Sequence, residues 1–349
     1  MALLTENFTF EAPLSARVRE AIAAAFDQGW ADPKKLNQVS HRALSLRTGA
    51  IEEFAHQLQV SPGSIEVTGE PHLLHHLALQ GFLTSESHLY ISPIDVGKIR
   101  AVGRIHPGAT HHLAIGVDGE IELPQSHSSR DVISVQSENG ETGIKQKLDE
   151  WRSIKARVIL DGTRTIPSPG LADNFAAATF DAQSWDGPTG LGFLLINDAE
   201  SYRNPLAHIA PIRVPGSYSL PLLVGAVIAL EQFKESQKRI YELRNSLADK
   251  LKAIEGVAVV GSHQQSRYLS AIVDGFSGEE VLRTLLNDGT SIDSGSACSP
   301  EDLAPSHVIG ALGLPTTGHL RFTLHSETSS SDIDQLTMKL KKALISLRR

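Results

Sequence analysis

The 349-residue chain has a single cysteine, Cys298, which leaves no room for an internal disulfide framework or a multi-cysteine zinc site. It has no surplus of positive charge. Thirty-two Lys and Arg stand against 40 Asp and Glu, a net −8, which argues against a nucleic acid or an anionic membrane held through bulk charge. It has no long apolar run: the longest, 221–230, is far short of the ~20 residues that span a bilayer. The opening MALLTENFTFEAP lacks the basic and apolar regions of a secretory signal. There is no P-loop, no G-x-G-x-x-G after a strand-like stretch, and no internal repeat. These absences lead to the expectation of a cytoplasmic protein that works on neither nucleic acid nor membrane.

Hydrophobic residues make up 41% of the chain, enough for a large core. Short β-prone stretches alternate with helix-spaced ones, the rhythm of an α/β fold. Helices are expected at 16–28, 51–58, 73–82 and 145–154, and strands at 64–67, 88–92, 113–116, 131–136 and 157–161, with a polar loop at 37–45. Residues 175–196 form the centre of the pattern. An apolar run, 175–180, stops at Asp181-Ala182-Gln183-Ser184-Trp185-Asp186, turns at Gly187-Pro188-Thr189-Gly190, and resumes as a second apolar run, 191–196. Two buried strands meeting at a tight turn are expected here. From Leu223 to Ile254 the apolar spacing predicts one long helix, of a length that links two bodies. Beyond it the pattern changes to strands at 257–260, 268–273 and 319–325, a capping box opening at Ser277, and a final amphipathic helix at 331–347. The predicted division is a large α/β domain over 16–240 and a smaller α+β domain made of 1–15 and 241–349.

Four constellations are candidates for chemistry. Cys298 lies in Ser294-Gly295-Ser296-Ala297-Cys298-Ser299-Pro300, a loop of small residues that suits either an accessible thiol or a small buried hydrophobe. Arg321 stands in an alternating strand, where it either clamps a carboxylate or faces solvent opposite Leu320, Phe322 and Leu324. Asp161 ends an apolar strand, where α/β proteins bind ligands; a turn cap is the alternative. His72, His75 and His76 share helical spacing, with His106, His111 and His112 further on. No carboxylate or cysteine at ligand spacing supports a metal there beyond Glu70, and no metal is expected.

In this order, these pieces resemble the cysteine desulfurases, fold-type I enzymes of the class-V aminotransferase group that bind pyridoxal phosphate (PLP). The resemblance is carried by Asp293–Leu314 (DSGSACSPEDLAPSHVIGALGL), similar to the family's persulfide-cysteine loop, and by 318–334 with Arg321 on the substrate-carboxylate position. Ser40-His41, Asn139-Gly140-Glu141-Thr142-Gly143 and Leu160-Asp161-Gly162-Thr163 add to it. It implies a mainly parallel sheet with helices on both faces plus a smaller α+β part, and a homodimer. It also implies Cys298 as persulfide carrier, Arg321, His41 and Asn139 as substrate contacts, and Asp161 as partner of the pyridine nitrogen.

The same comparison fails around the cofactor. With the Gly187-Pro188-Thr189-Gly190 turn fixing the register, the Schiff-base lysine position holds Ser184 and the histidine before it is Gln183. The ring-stacking histidine falls near Val96. The family's phosphate-binding Ser-Gly-Ala-Thr, after Thr68, becomes Gly69-Glu70-Pro71-His72, and the Gln that meets the ring oxygen becomes Arg164. The partner-subunit phosphate contact is replaced near Tyr218-Ser219. The expectation is a homologue without PLP, acting as partner of an active desulfurase or a sulfur acceptor and relaying persulfide through Cys298. The alternatives are an enzyme using PLP in a non-standard way, or a cofactor-independent or metal-using enzyme in the vacated pocket.

Overall fold

The computed structural model describes residues 6–208, 213, 217–261, 265–295 and 305–348. Cys298 lies outside them. The main sheet has seven strands, in spatial order Ile65–Thr68, Gly192–Ile196, Ala177–Asp181, Arg157–Asp161, Val132–Gln136, Leu89–Ile91 and Thr110–His112. The last five are mutually parallel, and Gly192–Ile196 runs antiparallel to both of its neighbours. Its central strands are buried on both faces, which is why they read as unbroken apolar runs. The turn at 187–190 closes the antiparallel pair Ala177–Asp181 and Gly192–Ile196, as the spacing predicts. The parallel strands Arg157–Asp161 and Ala177–Asp181 both end on an aspartate, so Asp161 and Asp181 emerge at the same edge of the sheet.

A second sheet, antiparallel throughout, is ordered Asp293–Ser294, His319–Thr323, Tyr268–Val273, Val257–Val260. Together the two sheets make an α/β protein with a mixed, mainly parallel sheet and a smaller antiparallel one. The helix Leu220–Lys252 runs 33 residues, ~50 Å at 1.5 Å per residue, and touches both sheets' surroundings. It crosses Ala16–Gln28 closely: a Cβ on Gly225 would meet Ile22 Cγ1 at 2.5 Å. Trp185, wholly buried, donates its indole N–H to Ala226 O on the same helix at 2.9 Å. Phe54 stacks on Phe193 at 3.8 Å, so that helix Gln38–Leu58 is packed onto the main sheet.

Four local expectations differ from the structure. Residues 37–45 are not a loop: the helix Gln38–Leu58 begins there, because Asn37 caps it by accepting the Ser40 N–H at 2.9 Å and Ala43 gives it a buried foothold. Residues 145–154 are not a helix but extended chain with a short turn at Glu150–Ser153. Gln146 spends its amide on Ile121 N and Gly119 O, which holds the backbone out. The edge strand is Thr110–His112 instead of 113–116, where Ile115 makes only an isolated bridge to Ile121. Helix Gly278–Asn287 starts after Ser277 without a side-chain cap bond.

The two sheets are clasped by one buried cluster. Arg267, 2% exposed, donates to Ser184 O at 2.7 Å and to Asp186 Oδ1 at 2.5 Å. His325 Nδ1 lies 2.8 Å from the same oxygen, and Ser326 N donates to Asp186 Oδ2 at 2.7 Å. Burial pushes the Asp186 carboxyl up, but Arg267 and His325 outweigh it and hold it far below the usual carboxylate range. A second contact joins Glu138 to Ser266 Oγ and, at 3.8 Å, to Lys145. Here burial wins, and the Glu138 carboxyl is pushed up to about 7.

Two outcomes follow from these opposite shifts. Asp186→Ala strands a buried guanidinium and is expected to cost about 3–5 kcal/mol in urea unfolding at pH 7. Because the Asp186 carboxyl is depressed in the fold, its stabilisation is present above pH ~4 and lost as pH falls below it, so the mutant and wild-type stabilities converge in acid. Glu138 has the reverse sign: the fold prefers its protonated form, so its ionisation removes stability as pH rises from about 4.5 to about 7. Glu138→Gln is expected to flatten that slope and gain on the order of 3 kcal/mol at pH 8 relative to pH 4. An unchanged slope in pH-dependent urea melts would contradict the assignment.

Candidate active-site cleft

The cleft is built where the parallel strands end. Asp161, 5% exposed, accepts from Thr163 N at 3.0 Å and Thr163 Oγ1 at 2.6 Å, and His75 Nε2 lies 3.1 Å from the same oxygen. Burial raises the Asp161 carboxyl, but the His75 imidazole and the Thr163 bonds bring it down to about 2. His75 is placed by the helix Leu74–Gln80, which buries Leu74, Leu77 and Ala78 and turns His75 inward with them. His72 stays exposed, so the three histidines do not act as one face. No group of three or more metal-ligating side chains occurs among the described residues.

The segment that would cradle a phosphate leads into this helix. Its backbone donors are met by the protein itself. Gly69 N donates to Ser217 O at 2.9 Å, Glu70 N to Thr68 Oγ1 at 3.1 Å, and His72 N to the Glu70 carboxylate at 3.0 Å. Pro71 has no N–H to offer. The Gly69 approach is tight: a Cβ there would lie 2.7 Å from Ser217 O. Ser219 sits at the N-cap of Leu220–Lys252 without a side-chain cap bond.

Ser184 is fully buried and donates its hydroxyl to Thr163 O. Gln183 N donates to Asp181 Oδ1 at 3.1 Å. Arg164 reaches into the cleft with its guanidinium 3.7 Å from the Phe10 ring centroid and its stem against Gly140, where a Cβ would come within 2.6 Å of it. Burial raises the Asp181 carboxyl while Arg164, the strongest opposing charge, lowers it. Lys98 is drawn down by burial and by Arg164, and drawn up by Asp181, Glu70 and Asp161. Asp95, wholly enclosed beside Val96, is pushed well up by burial despite accepting Ser92 N at 2.7 Å.

On the second sheet, Arg321 lies directly opposite Asp293 in antiparallel register, so the two side chains share a face. Burial raises the Asp293 carboxyl and Arg321 pulls it back. Asp293 Oδ2 also accepts Phe10 N at 3.0 Å, which ties the Arg164–Phe10 stack to this pair. Next to it, His319 is pushed down to about 3 by burial and by Arg321, and its Nε2 meets Ser270 Oγ at 2.8 Å.

Asp161, Thr163 and Ser184 thus form one hydrogen-bonded set, with Gln183 against Asp181; Thr68 and Gly69 lead into the helix that carries His75, and Arg164 stacks on Phe10, which Asp293 links to the Arg321 register. Asn139 is close by but spent: its Oδ1 accepts from Glu141 N, Thr142 N and Thr142 Oγ1, and its Nδ2 donates to Gln136 and Ile94 O. His41 is not part of the cleft. It is exposed on Gln38–Leu58 and lines a separate groove of about 670 Å³ with Arg42, Val224 and Ile228. Cys298 lies outside the described residues. The spacing of the sequence did not reveal the His75–Asp161 pair, the Asp186–Arg267 clasp or Asp293. A buried register for His75 among Leu74, Leu77 and Ala78 is the one signal that was present.

Comparison with known proteins bears on the fold. The aminotransferase class-V family signature matches residues 212–336. A cysteine desulfurase IscS 1 of Archaeoglobus fulgidus is 25% identical over an alignment of 372 positions, covering 96% of this chain and 95% of that protein. A cysteine desulfurase of Nostoc sp. is 26% identical over 260 positions, covering 68% of this chain and 65% of its own length. A solved NifS-like protein superposes with a TM-score of 0.84 at 20% identity, covering 97% of this chain and 99% of that one. The NifS-like protein of Rickettsia africae superposes at 0.83 with 16% identity over the same shares. The chain thus has the NifS-like fold-type I architecture, matches the class-V aminotransferase family over residues 212–336, and is similar in sequence to cysteine desulfurases.

Proposed function

We propose that this chain is a non-catalytic desulfurase-like partner in sulfur transfer, working without PLP and receiving persulfide sulfur on Cys298. The observation that carries the reading is Ser184. It occupies the lysine position next to the intact 187–190 turn, and its hydroxyl is committed to Thr163 O in the closed interior. A hydroxyl cannot form the imine that anchors PLP, and no other lysine lies in 175–196. Pro71 removes a donor and Glu70 adds a negative charge where a dianionic phosphate would need the reverse. The residues of the cleft do not fit the cofactor.

The chemistry left to the chain is thiol exchange. The Cys298 thiolate attacks the outer sulfur of a donor persulfide; the sulfur–sulfur bond to the donor breaks, the donor leaves as thiolate, and Cys298 carries the persulfide. No net oxidation occurs. The donor is an active desulfurase, and the acceptor is a further thiol protein. The family's dimeric habit suits a homodimer or a pair with the active enzyme.

Two measurements check this. Incubation of the purified protein with excess PLP, followed by borohydride and desalting, is expected to leave it colourless and unlabelled. A stable adduct, or sulfide released from cysteine in a PLP-dependent way, refutes the non-catalytic reading. Incubation with an active desulfurase and radiolabelled cysteine is expected to place label on Cys298 and none on a Cys298→Ser variant. Equal labelling of the two, or none on either, rules out relay.

A further inference from the structure

We infer that the cleft carries built-in substitutes for the cofactor and its substrate: Glu70 for the phosphate, His75 for the pyridine nitrogen, and Asp293 for the carboxylate of a bound amino acid. This rests on the reading that the chain holds no PLP, and adds that the protein supplies the missing charges itself.

Three independent placements carry it. The first is at the phosphate cradle. Its backbone N–H groups are the ones a phosphate would meet, and acceptors of this chain already hold them at the surface. The Glu70 carboxylate takes His72 N, Thr68 Oγ1 takes Glu70 N, and Ser217 O takes Gly69 N. The second is at Asp161. A carboxylate this deeply enclosed at a strand end needs a positive or N–H-bearing partner. His75 presents an N-heterocycle whose Nε2 is 3.1 Å away, the same kind of atom that a pyridinium ring would present. The third is at Arg321. A guanidinium on this face is suited to a carboxylate, and the chain places Asp293 directly across the ladder from it.

The three groups come from separate segments: a turn, a helix and a strand of the other sheet. Each matches in charge and atom type the ligand group it replaces. Arg164 completes the set. Its guanidinium lies 3.7 Å from the Phe10 ring centroid, and Phe10 N donates to Asp293, so a cation stands next to the Asp293–Arg321 pair. The facing groups at all three places are thus supplied by the chain itself.

The test combines stability and gain of binding. In the wild type, excess PLP is expected to leave the Tm unchanged. His75→Gln and Asp161→Asn are each expected to lower the Tm, and the double variant to lose clearly less than their sum, because the two act on one contact. Nitrogen-15 NMR of the wild type reads the same contact without mutation and is expected to find His75 Nε2 protonated and hydrogen-bonded. Ser184→Lys alone is expected not to retain PLP, whereas Ser184→Lys combined with Glu70→Ser and His75→Ala binds it about tenfold or more tightly. Wild-type retention of PLP would defeat the non-catalytic reading and this inference together. Three results, in a wild type that ignores PLP, would each defeat this inference alone: additive Tm losses, an unprotonated His75 Nε2, or equal PLP retention by the single and triple variants.

Discussion

A carboxylate at the end of a buried parallel strand must be answered by a positive or hydrogen-bond-donating group, and in this protein the demand at Asp161 organises its surroundings. Its position is dictated by the sheet: Arg157–Asp161 is enclosed on both faces, so the terminal aspartate leaves water as the strand packs. Thr163 folds back to donate twice to one of its oxygens, and His75 is delivered by a helix whose apolar residues anchor it against the same sheet. The peptide at Thr163 then takes the Ser184 hydroxyl, which joins Asp161 to the strand-turn-strand unit next door. One buried charge thus couples two loops and a helix that are far apart in sequence.

The second constraint is the seam between the two sheets. Ser184 offers its carbonyl to Arg267 and Asp186 offers its carboxylate, so the segment between the two central strands anchors the antiparallel sheet. Asp186 achieves this with a left-handed backbone, φ 59°, which turns its side chain toward Arg267 and His325. Arg267 also lies over the Phe233 ring at 4.8 Å, which brings the long helix into the same cluster. Desolvation of these charges is offset by the Arg267 and Ser326 N–H groups donating to Asp186, with the His325 ring held against both Arg267 and Asp186.

Much of the architecture was legible in the sequence because burial leaves a periodic trace. The runs at 175–180 and 191–196, the Leu223–Ile254 stripe and the Gly-Pro turn each name their element without help. What failed to show was of a different kind. Asn37 acts through a cap bond rather than through periodicity, so the first turn of Gln38–Leu58 reads as polar loop. Gln146 holds 145–154 extended through bonds to Ile121 and Gly119, some 25 positions away, and no local pattern encodes that. The turn register singles out Ser184 and Gln183, but the partners of Asp161 and Arg321 are set by tertiary placement. His75 looked like one of three equivalent histidines until the helix rotated it inward. Asp293 looked like the polar edge of a loop until the ladder set it opposite Arg321.

The Arg164–Phe10 stack bears on how this chain could ever change its role. A lysine placed at position 184 would come near the Arg164 and Lys98 cations and beside an aspartate already engaged by His75. A change of charge at this position adds an uncompensated charge or strands an existing one. No substitution there is local: its cost is read at Thr163, at Asp161 and at the helix that carries His75 together.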